Sequence, residues 1–172
     1  ILWVTPWFGN YRTAVYDNLN KIGGNNFYLI CSKTDTSDYV RQCLSATLGN
    51  HAIVMSGEGN ISIGNHSSDF ANTGLVIKHQ KGLYKAVKTV KPDLIIVEGF
   101  GGWAPAGLLY AFVHRKPALI FYERTVYTER NSPWWRTLYR KIIGRLASGF
   151  IINGSLTHQY LNRLGFGRYL MV

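Results

Sequence analysis

Asp93-Leu94-Ile95-Ile96-Val97-Glu98-Gly99-Phe100-Gly101-Gly102-Trp103 is the stretch whose reading decides the fold. An apolar, β-branched run ends in a single acid, breaks into a glycine-rich turn and opens a helix near Trp103. A strand so apolar along its whole length suits the interior of a parallel sheet, where both faces are covered. Working outward, residues 1–5, 27–31, 118–122 and 149–153 repeat the pattern, each bounded by Gly, Pro, Asn or Ser. Helical spacing fills the intervals, at residues 13–22 among others. Alternating strands and helices predict a doubly wound α/β, Rossmann-like parallel sheet with helices on both faces.

Upstream of this stretch, residues 78–91 read as a helix that ends at Pro92. Lys78, Lys81, Lys85 and Lys88 share one face, and Leu83, Ala86, Val87 and Val90 share the other. Such a lysine stripe is a solvated face or a binding surface. Residues 45–73 differ, being rich in Gly, Asn and Ser; they predict irregular strand-and-loop structure at a sheet edge, with 52–55 and 61–63 extended. The triplets Asn60-Ile61-Ser62 and Asn65-His66-Ser67 match glycosylation sequons, a pattern common by chance.

Composition bounds the rest. The chain has 172 residues, 47% hydrophobic and 14% aromatic, enough for one buried domain over 1–172. With only 16% charged residues, disorder is excluded. Two cysteines, Cys31 and Cys43, cannot staple such a chain, and they read as reduced thiols of a cytosolic protein. No apolar run reaches the roughly 20 residues of a membrane span. The net charge of +10 suits nucleic acid, an anionic membrane surface or phosphorylated substrates. A nucleic-acid motif is absent, and the basic residues are dispersed without an aromatic platform. The scattered histidines lack metal-ligand spacing, so no metal is expected.

Four stretches could carry chemistry. The turn after the first strand holds Gly9, Asn10, Tyr11 and Arg12; a glycine loop before a helix gathers backbone N–H groups where phosphate binds, and Arg12 adds charge. The loop Gly99, Phe100, Gly101, Trp103 and Ala104 fits G-x-G-x-x-A, with Glu123 closing the next strand as a ribose-binding acid would. That fingerprint supports a dinucleotide-dependent oxidoreductase as an alternative. Glu123 and Arg124, followed by Thr125, Thr128, Glu129 and Arg130, form the most polar strand end; they either grip hydroxyls and phosphate or brace the loop internally. The predicted helix 133–148 sets Trp134, Trp135 and further apolar residues against Arg136, Arg140, Lys141 and Arg145. It reads as a membrane-facing cationic helix or as a covering helix. A non-enzymatic α/β module docking on membrane or partner through that helix is a further alternative.

In their order, the Gly9–Arg12 loop, the strand ending Glu98-Gly99, the strand ending Glu123-Arg124 and the closing segment resemble one family. That segment runs Ala147-Ser148-Gly149-Phe150-Ile151-Ile152-Asn153-Gly154-Ser155, then Leu161-Asn162-Arg163-Leu164-Gly165-Phe166. They resemble the N-terminal half of a retaining glycosyltransferase of GT-B architecture, in glycosyltransferase family 4. The resemblance implies an acceptor-binding domain facing a second domain that holds a nucleotide sugar. It implies hexose transfer to a hydroxyl acceptor with retention, without a metal or other cofactor. The acceptor would be a sugar or lipid-linked sugar, at the cytoplasmic face of a membrane. By position, Gly9 would approach the donor phosphates, Tyr11 and Arg12 the acceptor, and Gly99 to Trp103 the interdomain cleft. Glu123 stands where some members carry a catalytic His. The family's E-x7-E motif lies in the second domain, and Glu123 and Glu129 do not have its spacing.

Overall fold

The computed structural model describes residues 1–7, 12–34, 36–63 and 75–172, apart from the side chains of residues 62, 63, 75 and 76. The elements run β1 (Leu2–Thr5), α1 (Thr13–Ile22), β2 (Tyr28–Ser32), α2 (Asp38–Leu48), β3 (Ala52–Met55), β4 (Glu58–Ile63), β5 (Leu75–Gln80) and α3 (Leu83–Val90). Then follow β6 (Ile95–Glu98), α4 (Ala104–His114), β7 (Ala118–Tyr122), α5 (Trp134–Gly144), β8 (Gly149–Ile152), α6 (Ser155–Arg163) and β9 (Leu170–Met171). Among these, seven strands form one sheet in the order β3-β2-β1-β6-β7-β8-β9, and β4 and β5 pair separately. Every pairing in the large sheet is parallel, while β4 and β5 form an antiparallel hairpin. The fold is Rossmann-like.

The alternation of side chains along each strand builds two cores of unequal cover. Leu2, Val4, Ile95, Val97, Ile120 and Phe150 point to the face covered by α3, α4, α5 and α6. Trp3, Leu29, Cys31 and Ile96 point to the other, where Tyr16 of α1 and Val40 and Leu44 of α2 pack on them. Each fully buried Leu, Ile or Phe contributes about 1.5–3 kcal/mol relative to exposure. On this second face Leu119, Phe121 and Ile151 are only partly buried, because α1 and α2 lie over the other half of the sheet. Among the described residues, no helix is long and apolar enough to cross a membrane.

The sheet also fixes where ligands can reach it. From β1 the chain leaves toward β2 and β3, yet β6, the strand on the other side of β1, leads toward β7 and β8. The carboxyl ends of β1 and β6 therefore flank a topological switch point, the crevice where open α/β sheets bind ligands.

Several boundaries differ from the sequence reading. The expected helix 78–91 is two elements: Lys78 lies in β5, opposite Asn60 of β4, and α3 begins only at Leu83. Gly82, at φ +80°, sits in the left-handed region and turns the chain between them. Lys78 thus leaves the stripe, and its ammonium faces Glu58 at 3.6 Å. The strand expected from residue 93 begins at Ile95, since Asp93 turns outward to Lys116 at 2.6 Å. Within residues 45–73, α2 extends to Leu48, capped at its start by the Ser37 side chain, and β3 forms the edge of the large sheet. The sequon at Asn65 lies outside the described residues.

Candidate functional site

β1 ends at Thr5, whose Oγ1 accepts the Trp7 N–H at 3.1 Å and donates to the Trp7 carbonyl. This side-chain turn bends the chain away from the sheet. Arg12 is the N-cap residue of α1 and is buried, at 3% exposure. Gly9, Asn10 and Tyr11 lie outside the described residues.

The Arg12 guanidinium is the centre of the site. Its Nη1 lies 2.7 Å from Glu98 Oε1 and its Nη2 lies 3.1 Å from Glu123 Oε2. Aromatic rings flank it, Phe121 with its centroid at 4.6 Å and Trp7 at 5.3 Å. Each group comes from a different strand end. Arg12 follows β1, Glu98 closes β6 and Glu123 follows β7. A bond from Gly99 N–H to the Phe121 carbonyl, 2.8 Å, ties the last two ends together. Arg12 is held charged: burial opposes its charge, but the bond to Glu98 and the fields of Glu98 and Glu123 outweigh that and raise its pKa. Tyr16, one turn further along α1, has its pKa raised chiefly by burial, with Glu98 adding to the shift and Arg12 opposing it.

One cation against two carboxylates leaves the cluster with a net charge of −1. Arg12 is committed to the acids, so the cluster repels a phosphate and offers carboxylate acceptors to hydroxyl groups. The side chains of Glu98 and Glu123 are 17% and 39% exposed, so both can reach a ligand in the crevice. An acid alone at the end of an apolar strand was the signal in the sequence for Glu98; its partner in Arg12 had none.

The glycine loop is closed in on one side. A Cβ on Gly102 would sit 2.1 Å from the backbone oxygen of Lys78, so β5 passes directly against the loop. Phe100 and Trp103 do not line an open cleft; they are buried in the core at 8% and 1% exposure, because the turn folds them beneath α4. Gly99 and Gly101 have open space above them, but the Glu98 carboxylate stands at the same strand end. A dinucleotide pyrophosphate would meet that negative charge, which disfavours the fingerprint.

Glu123 and Arg124 do not pair with each other. Arg124 reaches Glu129 at 3.3 Å, and Arg140 of α5 reaches the other oxygen of Glu129 at 2.7 Å. Arg140 also donates to Tyr160 Oη at 2.5 Å and Ser132 Oγ at 3.3 Å. Thr125 and Thr128 exchange hydrogen bonds, which coil the loop so that Glu129 points inward. This network straps the loop carrying Glu123 to α5 and α6. It also corrects the reading of Arg140 as membrane-facing: Arg140 is buried, because the Glu129 side chain, 2% exposed, requires a partner. Trp135 and Arg136 are half-buried, with the guanidinium 5.3 Å from the Trp135 ring, while Trp134, Lys141 and Arg145 are exposed.

The β4–β5 hairpin brings a third polar group that the sequence did not single out. Glu58 is deeply buried; Ser32 Oγ, at the carboxyl end of β2, donates to its Oε2 at 3.2 Å, and Lys78 approaches the same oxygen. Burial lowers the Lys78 pKa. Beside it, Gln80 donates to the carbonyls of Ser56 and Lys81 at 2.8 and 3.2 Å, which seats the hairpin on the sheet edge. Among the described residues, no group of three or more His, Cys, Asp or Glu is arranged to hold a metal ion.

No protein-family profile matches the chain, and no curated protein matches it in sequence. Among solved structures it is similar to one assigned as a UDP-N-acetylglucosamine 2-epimerase from Listeria monocytogenes. The TM-score is 0.59 at 14% identity, over 95% of this chain and 42% of that one. That neighbour is GT-B-like. The likeness carries the Rossmann-like fold, and this chain spans less than half the neighbour's length.

Proposed function

We propose that the chain is the acceptor-binding half of a glycosyltransferase that moves a hexose from a nucleoside-diphosphate sugar to a hydroxyl acceptor with retention. The observation that carries this reading is the Arg12 cluster: two part-exposed carboxylates, held by one buried guanidinium, at the switch point of a parallel sheet. Such a site is chemically suited to a neutral polyol. Glu98 and Glu123 accept hydroxyl protons in hydrogen bonds, and Phe121 and Trp7 supply flat apolar surface beside them. The net negative charge argues against the same residues gripping the diphosphate. In this reading the donor is held by a second Rossmann-like domain across the crevice, and the GT-B-like neighbour supports that arrangement in fold alone.

The chemistry asks this half for position and charge. The acceptor oxygen bonds to the anomeric carbon on the same face from which the diphosphate departs, as the bond from that carbon to the diphosphate breaks. Glu123, the more exposed carboxylate, takes the proton that the hydroxyl releases. Glu98, hydrogen-bonded to Arg12, orients the acceptor.

Ligand-detected NMR on the 172-residue chain, with a panel of neutral glycans and a panel of nucleotide sugars, tests the assignment. At least one neutral glycan is expected to bind without nucleotide. A chain that binds nucleotide sugars and no glycan contradicts the acceptor role.

A further inference from the structure

The four helices over the larger core share a property that exceeds any one of them: α3, α4, α5 and α6 contain no Asp or Glu. Their outward sides carry Lys85, Lys88 and Lys141, with Arg145 just beyond α5, all exposed. The same layer presents large apolar side chains to solvent. On α4 these are Leu109, Phe112 and Val113, spaced as one helical face, with Phe112 66% exposed. On α5 they are Trp134, Leu138 and Ile142, again one face, with Trp134 76% exposed. α4 packs beside α3, and α5 packs on the same core.

We propose that this helix layer is a docking surface for an anionic lipid bilayer. The surface is of one sign, which matches the negative potential of acidic headgroups, and each exposed basic residue near such a surface gains attraction. Protruding Phe, Leu, Ile and Trp side chains seat in the headgroup and acyl boundary, as interfacial helices do. A nucleic acid would neutralise the cations yet leave six apolar side chains wet. Arg140 takes no part, because its charge is spent on Glu129 inside the protein. None of these side chains belongs to the Arg12 cluster, so the test is independent of the acceptor reading.

Co-sedimentation of the chain with phosphatidylcholine vesicles, with and without phosphatidylglycerol, decides it. Binding is expected with phosphatidylglycerol only, and it should fall sharply in high salt because exposed charges are screened. Replacing Lys85, Lys88, Lys141 and Arg145 by Gln should weaken partitioning by about fivefold per residue. Phe112→Ser with Trp134→Ser should also release the protein while leaving the melting temperature in place, since neither side chain supports the core. Equal pelleting on neutral lipid, no pelleting, an unaffected charge variant, or a preference for DNA over anionic vesicles would overturn the proposal.

Discussion

Replacing Arg12 by Met removes the cation that joins three strand ends and keeps most of the side chain's length. Glu98 and Glu123 would then face each other at the switch point without their shared partner. Breaking a buried ion pair by removing one member costs about 3–5 kcal/mol. Glu98 and Glu123 are 17% and 39% exposed, so water screens part of that penalty and the lower end, about 3 kcal/mol, applies. For a chain of this length, about 2–4 °C is lost per kcal/mol, which places the expected drop in melting temperature at roughly 6–12 °C near pH 7. The penalty arises from carboxylates left without their cation. Arg12→Met combined with Glu98→Gln should recover part of the loss. Arg12→Lys should recover less than a charge count implies, because an ammonium cannot span two carboxylates as a planar fork does. Differential scanning calorimetry of parent and variants reads all of this. A melting temperature unchanged at pH 7, or an Arg12→Met/Glu98→Gln variant no more stable than Arg12→Met alone, refutes the assignment of the cluster as a charge-coupled support.

Gly102→Ala should destabilise the fold by about 1–3 kcal/mol, as overpacking does, because the new methyl would strike the Lys78 carbonyl; an unchanged denaturation midpoint would mean that β5 is not seated there. Glu129→Gln and Arg140→Met should each lower stability by about 3–5 kcal/mol, with strong coupling in a double-mutant cycle; additive losses would dismiss the buried network. Alkali should destabilise the protein: burial pushes the Cys31 thiol up to about 11, and Tyr16 and Tyr122 are likewise raised by burial. The folded state then holds protons that the unfolded state releases, so stability falls as pH rises through about 9 to 11. Melting temperatures across that window, with thiol labelling of Cys31, check the sign.

The parallel sheet was legible because its strands are short, β-branched and apolar throughout, as in 95–97 and 118–122, and because glycine or proline closes them. Lys78 shows where pattern reading fails. Its spacing with Lys81, Lys85 and Lys88 satisfies a helix, but the backbone pairing of β4 with β5 outweighs that weak local signal. The candidate site was half legible. Arg12, Glu98, Glu123, Arg124 and Glu129 stood out as polar residues at or after strand ends, yet their pairings did not, since Arg12 meets Glu98 and Arg124 meets Glu129 only through sheet order and loop coiling. Arg140 looked like surface charge because helical periodicity records which residues share a face and is blind to an acid arriving from a preceding loop. The inward folding of Phe100 and Trp103 was equally hidden, for a glycine-rich turn says nothing about which way its aromatic residues point.

The central claim is that Glu98 and Glu123 receive acceptor hydroxyls while Arg12 holds them in place. The direct measurement is the dissociation constant of a bound neutral glycan for the parent chain, Glu98→Gln and Glu123→Gln, each with its melting curve. Loss of a charged hydrogen-bond acceptor is worth about 1.5–3 kcal/mol, so affinity should weaken by about tenfold or more in both variants while the proteins remain folded. Glycan affinity that is unchanged in two folded variants would contradict the account.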